Sequence, residues 1–166
     1  MNETRTTAAR VLGPNEGDIM GAPDGVRDRF MVGRGDSGGG FALVEHLMAP
    51  RALAAPLHIH TREDEYSYVL AGRVGALLGE EEVVAEAGHL IFKPRGQWHT
   101  FWNAGDESAR VLEIISPAGL EEMFRELGTL GEALDPETMA TLAARYGAQV
   151  DFERTLPIVQ RHGLKF

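Results

Sequence analysis

The chain has 166 residues, 43% of them hydrophobic, enough for one domain with a buried core and appendages. Its formal charge of -9 opposes a nucleic-acid footprint, which needs basic surface against phosphates. Cysteine is absent, which excludes disulfides, thiolate nucleophiles, iron–sulfur clusters and thiolate zinc sites, so any metal must be held by nitrogen and oxygen.

From Met1 to about Gly40 the sequence is rich in Gly, Asp and Arg. Met1 to Gly17 is polar and lacks the apolar core of a secretory signal, and no run in the chain reaches membrane-spanning length, so a soluble, cytoplasmic protein is expected. Within this arm only Val11-Leu12, Ile19-Met20 and Phe30-Met31-Val32 can pair as short strands. The arm should lie on the core or on a neighbouring subunit and end in the flexible Asp36-Ser37-Gly38-Gly39-Gly40 loop.

Between Phe41 and Ser116 short apolar runs alternate with turn residues, the spacing of an antiparallel sandwich or barrel. The candidate strands are Phe41–Met48, Leu57–His60, Tyr66–Leu70, Val74–Leu78, Val83–Ala85, Leu90–Lys93, His99–Asn103 and Arg110–Ile115. Gly72, Gly79, Gly88, Gly96 and Gly105 punctuate them, so the core is all-β. Glu80-Glu81-Glu82 reads as a solvated hairpin tip.

After Ser116 the pattern becomes helical through residue 166. Ser116-Pro117 suits an N-cap and first turn, and Leu120, Met123, Phe124 and Leu127 make one apolar stripe before Gly128. Asp135-Pro136 opens a second short helix that carries Met139, Leu142 and Ala143 and stops at Gly147. Both helices should cap the barrel.

The chemistry sits in His58-Ile59-His60-Thr61-Arg62-Glu63-Asp64-Glu65 and, after a long gap, His99. Two imidazoles two residues apart share one face of a strand, and a carboxylate follows one short turn later. The Pro94-Arg95-Gly96 turn returns His99 on a strand facing the first pair. Three nitrogens and one oxygen can fill four positions around a first-row transition metal and leave room for water or substrate. Binding needs neutral imidazoles and an ionised carboxylate, so metal affinity should fall as pH drops below about 6. Phe101, two residues beyond His99, should face the same interior, and Phe92 is a second candidate pocket liner. Glu45 and His46 alternate on one strand, so one of them can look inward; Glu113, among apolar neighbours, reads as a partnered buried carboxylate. His89 and His162 read as surface residues.

The spacing His58-x-His60-x4-Glu65-x6-Gly72, followed by Gly88-x5-Pro94-x-Gly96-x2-His99-x3-Asn103, resembles the two motifs of the cupin superfamily at nine positions. One position departs: Ala52 stands where the motif carries a glycine ahead of the first histidine pair, which bears on backbone shape rather than on metal binding. The resemblance implies a jelly-roll barrel, the double-stranded β-helix, over residues 41–116. It also implies a divalent metal (Fe, Mn, Ni, Cu or Zn) on His58, His60, Glu65 and His99.

The barrel followed by the Ser116–Phe124 helix is similar to small bacterial cupins related to quercetin 2,3-dioxygenase. That similarity implies a dioxygenase-type enzyme acting on a flavonol-like or enol-containing small molecule, with Glu65 also serving as a catalytic base. A metal-dependent isomerase, epimerase or lyase is the alternative, and a non-catalytic small-ligand binder a third. No nucleic-acid or membrane partner is expected. A homodimer is, because a strand-forming arm can pair with a neighbour's sheet.

Overall fold

Side-chain alternation along the middle of the chain builds two antiparallel sheets that face each other across a shared interior. The structure, a computed structural model, describes residues 8–131 and 134–166; the first seven residues of the arm lie outside them. In the arm, β1 (Asp18–Gly21) and β2 (Val26–Val32) form a hairpin, and one turn of helix, α1 (Arg34–Ser37), leads into the barrel. Val11-Leu12 lies outside the strands, and Asp36 and Ser37 close α1 rather than opening a loop.

All eight barrel strands expected from the sequence form, three with the expected bounds and five shifted by one or two residues. They are β3 (Ala42–Met48), β4 (Leu57–His60), β5 (Asp64–Ala71), β6 (Arg73–Leu78), β7 (Glu81–Glu86), β8 (Leu90–Lys93), β9 (His99–Asn103) and β10 (Ala109–Ser116). One sheet runs β1-β2-β3-β10-β5-β8. The arm therefore extends its own chain's sheet, with Phe30 of β2 opposite Val44 of β3. Val44, Val69, Val74, Ala76, Val111 and Ile115 point between the sheets and are fully buried, which gives the barrel an apolar interior away from its mouth.

The C-terminal part departs from the expectation of two helices. Ser116 ends β10, so the first long helix, α2 (Glu121–Leu130), starts later than the Ser116-Pro117 pair suggested. It also runs through Gly128 and stops at Gly131, which takes the left-handed φ of 52°. A Cβ on Gly128 would stand 2.8 Å from the Met20 Cβ, so this glycine lets α2 lie close against β1. The second helix, α3 (Pro136–Arg145), is capped as expected by Asp135, whose carboxylate accepts from the Thr138 amide at 2.8 Å.

Two further elements follow: β11 (Ala148–Asp151), beside β4, and α4 (Phe152–His162). Pro157 lies inside α4 and hides its helical pattern. The second sheet is therefore β11-β4-β9-β6-β7, with α4 on its outer side. The Glu80–Glu82 run is not simply solvated: Glu80 pairs with Arg154, and Glu82 with Arg161 and His162 of α4. No helix among the described residues is long and apolar enough to cross a membrane.

Candidate metal centre

Strand parity and register bring four expected ligands together. His58 and His60 project from the inner face of β4, and His58 stands in register with His99 of β9. Glu65, second residue of β5, turns inward from the opposite sheet. The donor atoms of His58, His60, Glu65 and His99 lie within 4.8 Å of one another, and all four residues are buried. Of the acidic run, Asp64 instead grips Arg95 at 2.7 Å, clamping the start of β5 to the turn ahead of His99, while Glu63 is buried outside the quartet. Where the motif's glycine is replaced by Ala52, the left-handed residue is the neighbouring Arg51 (φ 61°), which ion-pairs with Asp106.

The hydrogen bonds prepare these groups for a cation. The Nδ1 of His58 donates to the Pro56 carbonyl at 2.6 Å, and that of His99 to the Gln97 carbonyl at 3.1 Å, which leaves each Nε2 turned into the site. His99 Nε2 lies 3.0 Å, and His60 Nε2 3.4 Å, from the same Glu65 oxygen, Oε2. With its Nδ1 donating to Gln97, the neutral His99 ring aims its Nε2 lone pair at that carboxylate oxygen, and the two repel unless a cation or a proton lies between them. Both ring nitrogens of His60 are buried without a hydrogen-bond partner, and coordination through Nε2 would remove the cost at that atom. The residues therefore fit a divalent ion with borderline nitrogen and oxygen preference.

Electrostatics keep His58 and Glu65 in ligating form. Burial, reinforced by the neighbouring His99 and His60, holds His58 well below the ordinary imidazole value. Burial alone would raise the Glu65 carboxyl, but Lys93 and His60 outweigh it and hold Glu65 well below the usual carboxylate range. The Lys93 ammonium is itself buried, 3.4 Å from Glu65 Oε2 and 3.0 Å from Glu113 Oε1, and Ser67 donates to the other Glu113 oxygen at 2.6 Å.

The quartet lines the inner end of a cavity of about 240 Å³ that reaches out between the sheets to α2 and α3. Its walls are mainly apolar, with Val26, Phe101, Met123, Phe124, Leu127 and Val150 among them, and no lysine or arginine among the described residues lines it. Phe101 lines this cavity. Phe92 does not: Lys93 faces inward, so Phe92 points to the outer face of the sheet, half exposed and stacked on Tyr66. His46, rather than Glu45, faces the cavity; Glu45 is buried outside it between Arg29 and Arg110. Glu113 has the partners expected of it. His89 is exposed. The sequence reading missed Asp28, Lys93 and the helical wall residues: Asp28 sits in the arm, and lysine is rarely buried.

Comparisons with known proteins agree with this geometry. Residues 44–115 match the Cupin domain family model. The chain is 38% identical over 60 residues to the tetracenomycin polyketide synthase protein TcmJ of Streptomyces glaucescens, covering 36% of this chain and 40% of that protein. It is 29% identical over 83 residues to polyketide synthase CurC of Streptomyces cyaneus, covering 50% and 54%. The matches thus span about half the length of these relatives or less. Among solved structures, KdgF from Halomonas sp. superposes with a TM-score of 0.60 at 17% identity, covering 69% of this chain and 99% of that one. A predicted oxalate decarboxylase from Thermotoga maritima gives 0.60 at 19%, covering 65% and 99%. At such identities these structures speak for the fold alone. With the motif residues converging inside a two-sheet barrel, residues 44–115 form a cupin domain.

Proposed function

We propose that this protein is a metal-dependent enzyme acting on an apolar, enolisable small molecule of the aromatic polyketide type. The observation that carries the reading is the placement of a three-histidine, one-glutamate site at the inner end of a mainly apolar cavity lined by no lysine or arginine among the described residues. A phosphorylated or multiply anionic substrate would need cationic partners there. An aromatic ketone or enol needs only apolar walls and one site for its oxygen.

A bound divalent ion would supply Lewis acidity, stabilising negative charge on a carbonyl or enol oxygen. His58, His60, Glu65 and His99 would hold it, and Phe101 and the α2 side chains would exclude water from the ring system. Glu65 keeps the role of base expected from the sequence. In the dioxygenase reading the activated enol reacts with dioxygen. In the second reading, that of an isomerase, epimerase or lyase, the same enol moves a double bond or is reprotonated without oxygen. The homodimer expected from the sequence stays part of the proposal, supported by Tyr68, Leu70, Leu90 and Phe92 exposed on one sheet face. A monomer in sedimentation at micromolar concentration overturns that part.

The test is elemental analysis of the purified protein, then reconstitution with Fe, Mn, Ni, Cu or Zn and incubation with flavonols and hydroxylated aromatic ketones in an oxygen-electrode cell. Substrate loss with oxygen uptake supports the dioxygenase reading, and loss without uptake the second. Recovery of every compound unchanged overturns the enzymatic proposal and leaves a ligand-binding protein.

A further inference from the structure

The cavity wall carries one more polar pair, remote in sequence from the metal motif. His46, on the inner face of β3, hydrogen-bonds through Nδ1 to the Asp28 carboxylate of β2 at 2.7 Å, and both residues line the cavity. Asp28 and His46 are register partners on adjacent strands, so the backbone sets the contact. The ring is wedged between Phe101, at 5.6 Å, and Phe124, at 5.8 Å between centroids. Its Nε2 stands 3.7 Å from Glu113 Oε2, beyond hydrogen-bonding reach. An imidazole oriented at one nitrogen by a carboxylate, with the other nitrogen making no hydrogen bond, has the form of a proton-transfer group.

We propose that His46 is a second catalytic residue of the cavity, taking and returning a proton on carbon of the substrate held at the metal centre, with Asp28 as its positioning residue. This rests on the reading given under Proposed function. In the step, a C–H bond next to the substrate carbonyl breaks, its proton passes to His46 Nε2, the bonding pair becomes a C=C bond, and the carbonyl π pair moves onto oxygen. Reversal or transfer to another carbon returns the proton. Nδ1–H bonded to Asp28 keeps the Nε2 lone pair free to accept. The charged groups facing the ring are Asp28 from β2, Glu113 from β10 and Lys93 from β8. Burial works against the imidazolium and Lys93 adds to that, but Asp28 and Glu113 outweigh both, so His46 is more basic than a free imidazole.

The test uses the zinc-loaded protein and 1-tetralone, a bicyclic aryl ketone, with deuterium uptake at the carbon next to the carbonyl followed by proton NMR in heavy water. Metal content and the melting curve are measured on every variant. The wild-type protein is expected to accelerate exchange over buffer, and His46→Gln to lose at least about a hundredfold of that acceleration with unchanged metal content. Asp28→Asn, at a partly exposed position, should lose less and move the acid limb of the pH profile to lower pH. Wild-type exchange in His46→Gln with full metal content, or an unmoved acid limb in Asp28→Asn, overturns the assignment and leaves the metal-centre reading intact. No acceleration by the wild-type protein overturns both. If His46→Gln melts early, the Asp28→Asn profile decides alone.

Discussion

Lys93 and Glu65 face each other as register partners of β8 and β5, with the ammonium 3.4 Å from the carboxylate and both residues almost wholly buried. Lys93 also reaches Glu113 and lies over the Phe101 ring at 4.4 Å, so one cation bridges two carboxylates, the quartet's Glu65 and Glu113 behind it. Removing it strands Glu113 in an apolar interior with Ser67 as its hydrogen-bond donor. Lys93→Met should therefore lower stability by about 3–5 kcal/mol, and adding Glu113→Gln should recover part of the loss. Denaturant melts of the two variants check this; equal stability of Lys93→Met and wild type contradicts it.

The metal quartet makes a separate prediction. His58 and His99 stack edge to face at 4.4 Å, and each has its Nδ1 occupied by a carbonyl, so each ring offers the site its Nε2 alone. His58→Ala and His99→Ala should each reduce bound metal at least about tenfold after dialysis. Elemental analysis reads the result, and full occupancy in both variants refutes the ligand assignment.

How much of this was legible in the chain follows from where its signals are local. His58, His60, Glu65 and His99 carry a spacing that only a strand, a short turn and a return strand satisfy, so the site could be read before any fold was seen. The eight barrel strands were legible for the same reason: glycine turns separate short apolar runs. Phe92 was misplaced because Leu90-Ile91-Phe92-Lys93 shows three apolar residues and one charge, and only the pairing of Lys93 with Glu65 and Glu113 reveals that the charge is the inward residue. Asp28 gives no sign of its role, since its partner lies on the next strand of the sheet, 18 residues away. Strand β11 and helix α4 were lost because one has four residues and the other contains Pro157.

Tyr146 gives a prediction in pH. Its phenol donates to Glu126 at 2.5 Å, and this bond, helped by burial and the negative charge, pushes the phenol up to about 12. The same bond lowers Glu126 from the usual carboxylate range. A raised phenol favours the folded state while it is protonated. Its contribution is complete below the unfolded value of about 10 and disappears as pH rises through about 12. For Glu126 the sign reverses: its contribution is present above the unfolded carboxylate value and is lost as pH falls through its lowered folded one. Spectrophotometric titration should show a phenolate component with a midpoint near 12 that vanishes in Tyr146→Phe. A titration curve for Tyr146→Phe that differs only by an ordinary phenol overturns the assignment.

The last prediction separates the fold from the site. Gly75 of β6 pairs in register with Trp102 of β9, and the indole lies flat over the glycine, so that a Cβ there would come within 2.4 Å of Trp102 Cε2 and Nε1. The indole cannot swing aside, because Leu53, Ile158 and Leu164 enclose it and only 2% of it is exposed. Gly75→Ala must then displace Trp102 or separate β6 from β9, a form of overpacking that should cost about 1–3 kcal/mol. Trp102 and His99 project from opposite faces of β9, so the strain falls on the α4 side of the sheet, away from the metal ligands. Gly75→Ala should accordingly melt earlier while retaining wild-type metal content. Loss of metal in a variant that still melts cooperatively would show that the two faces of β9 are coupled, against this account.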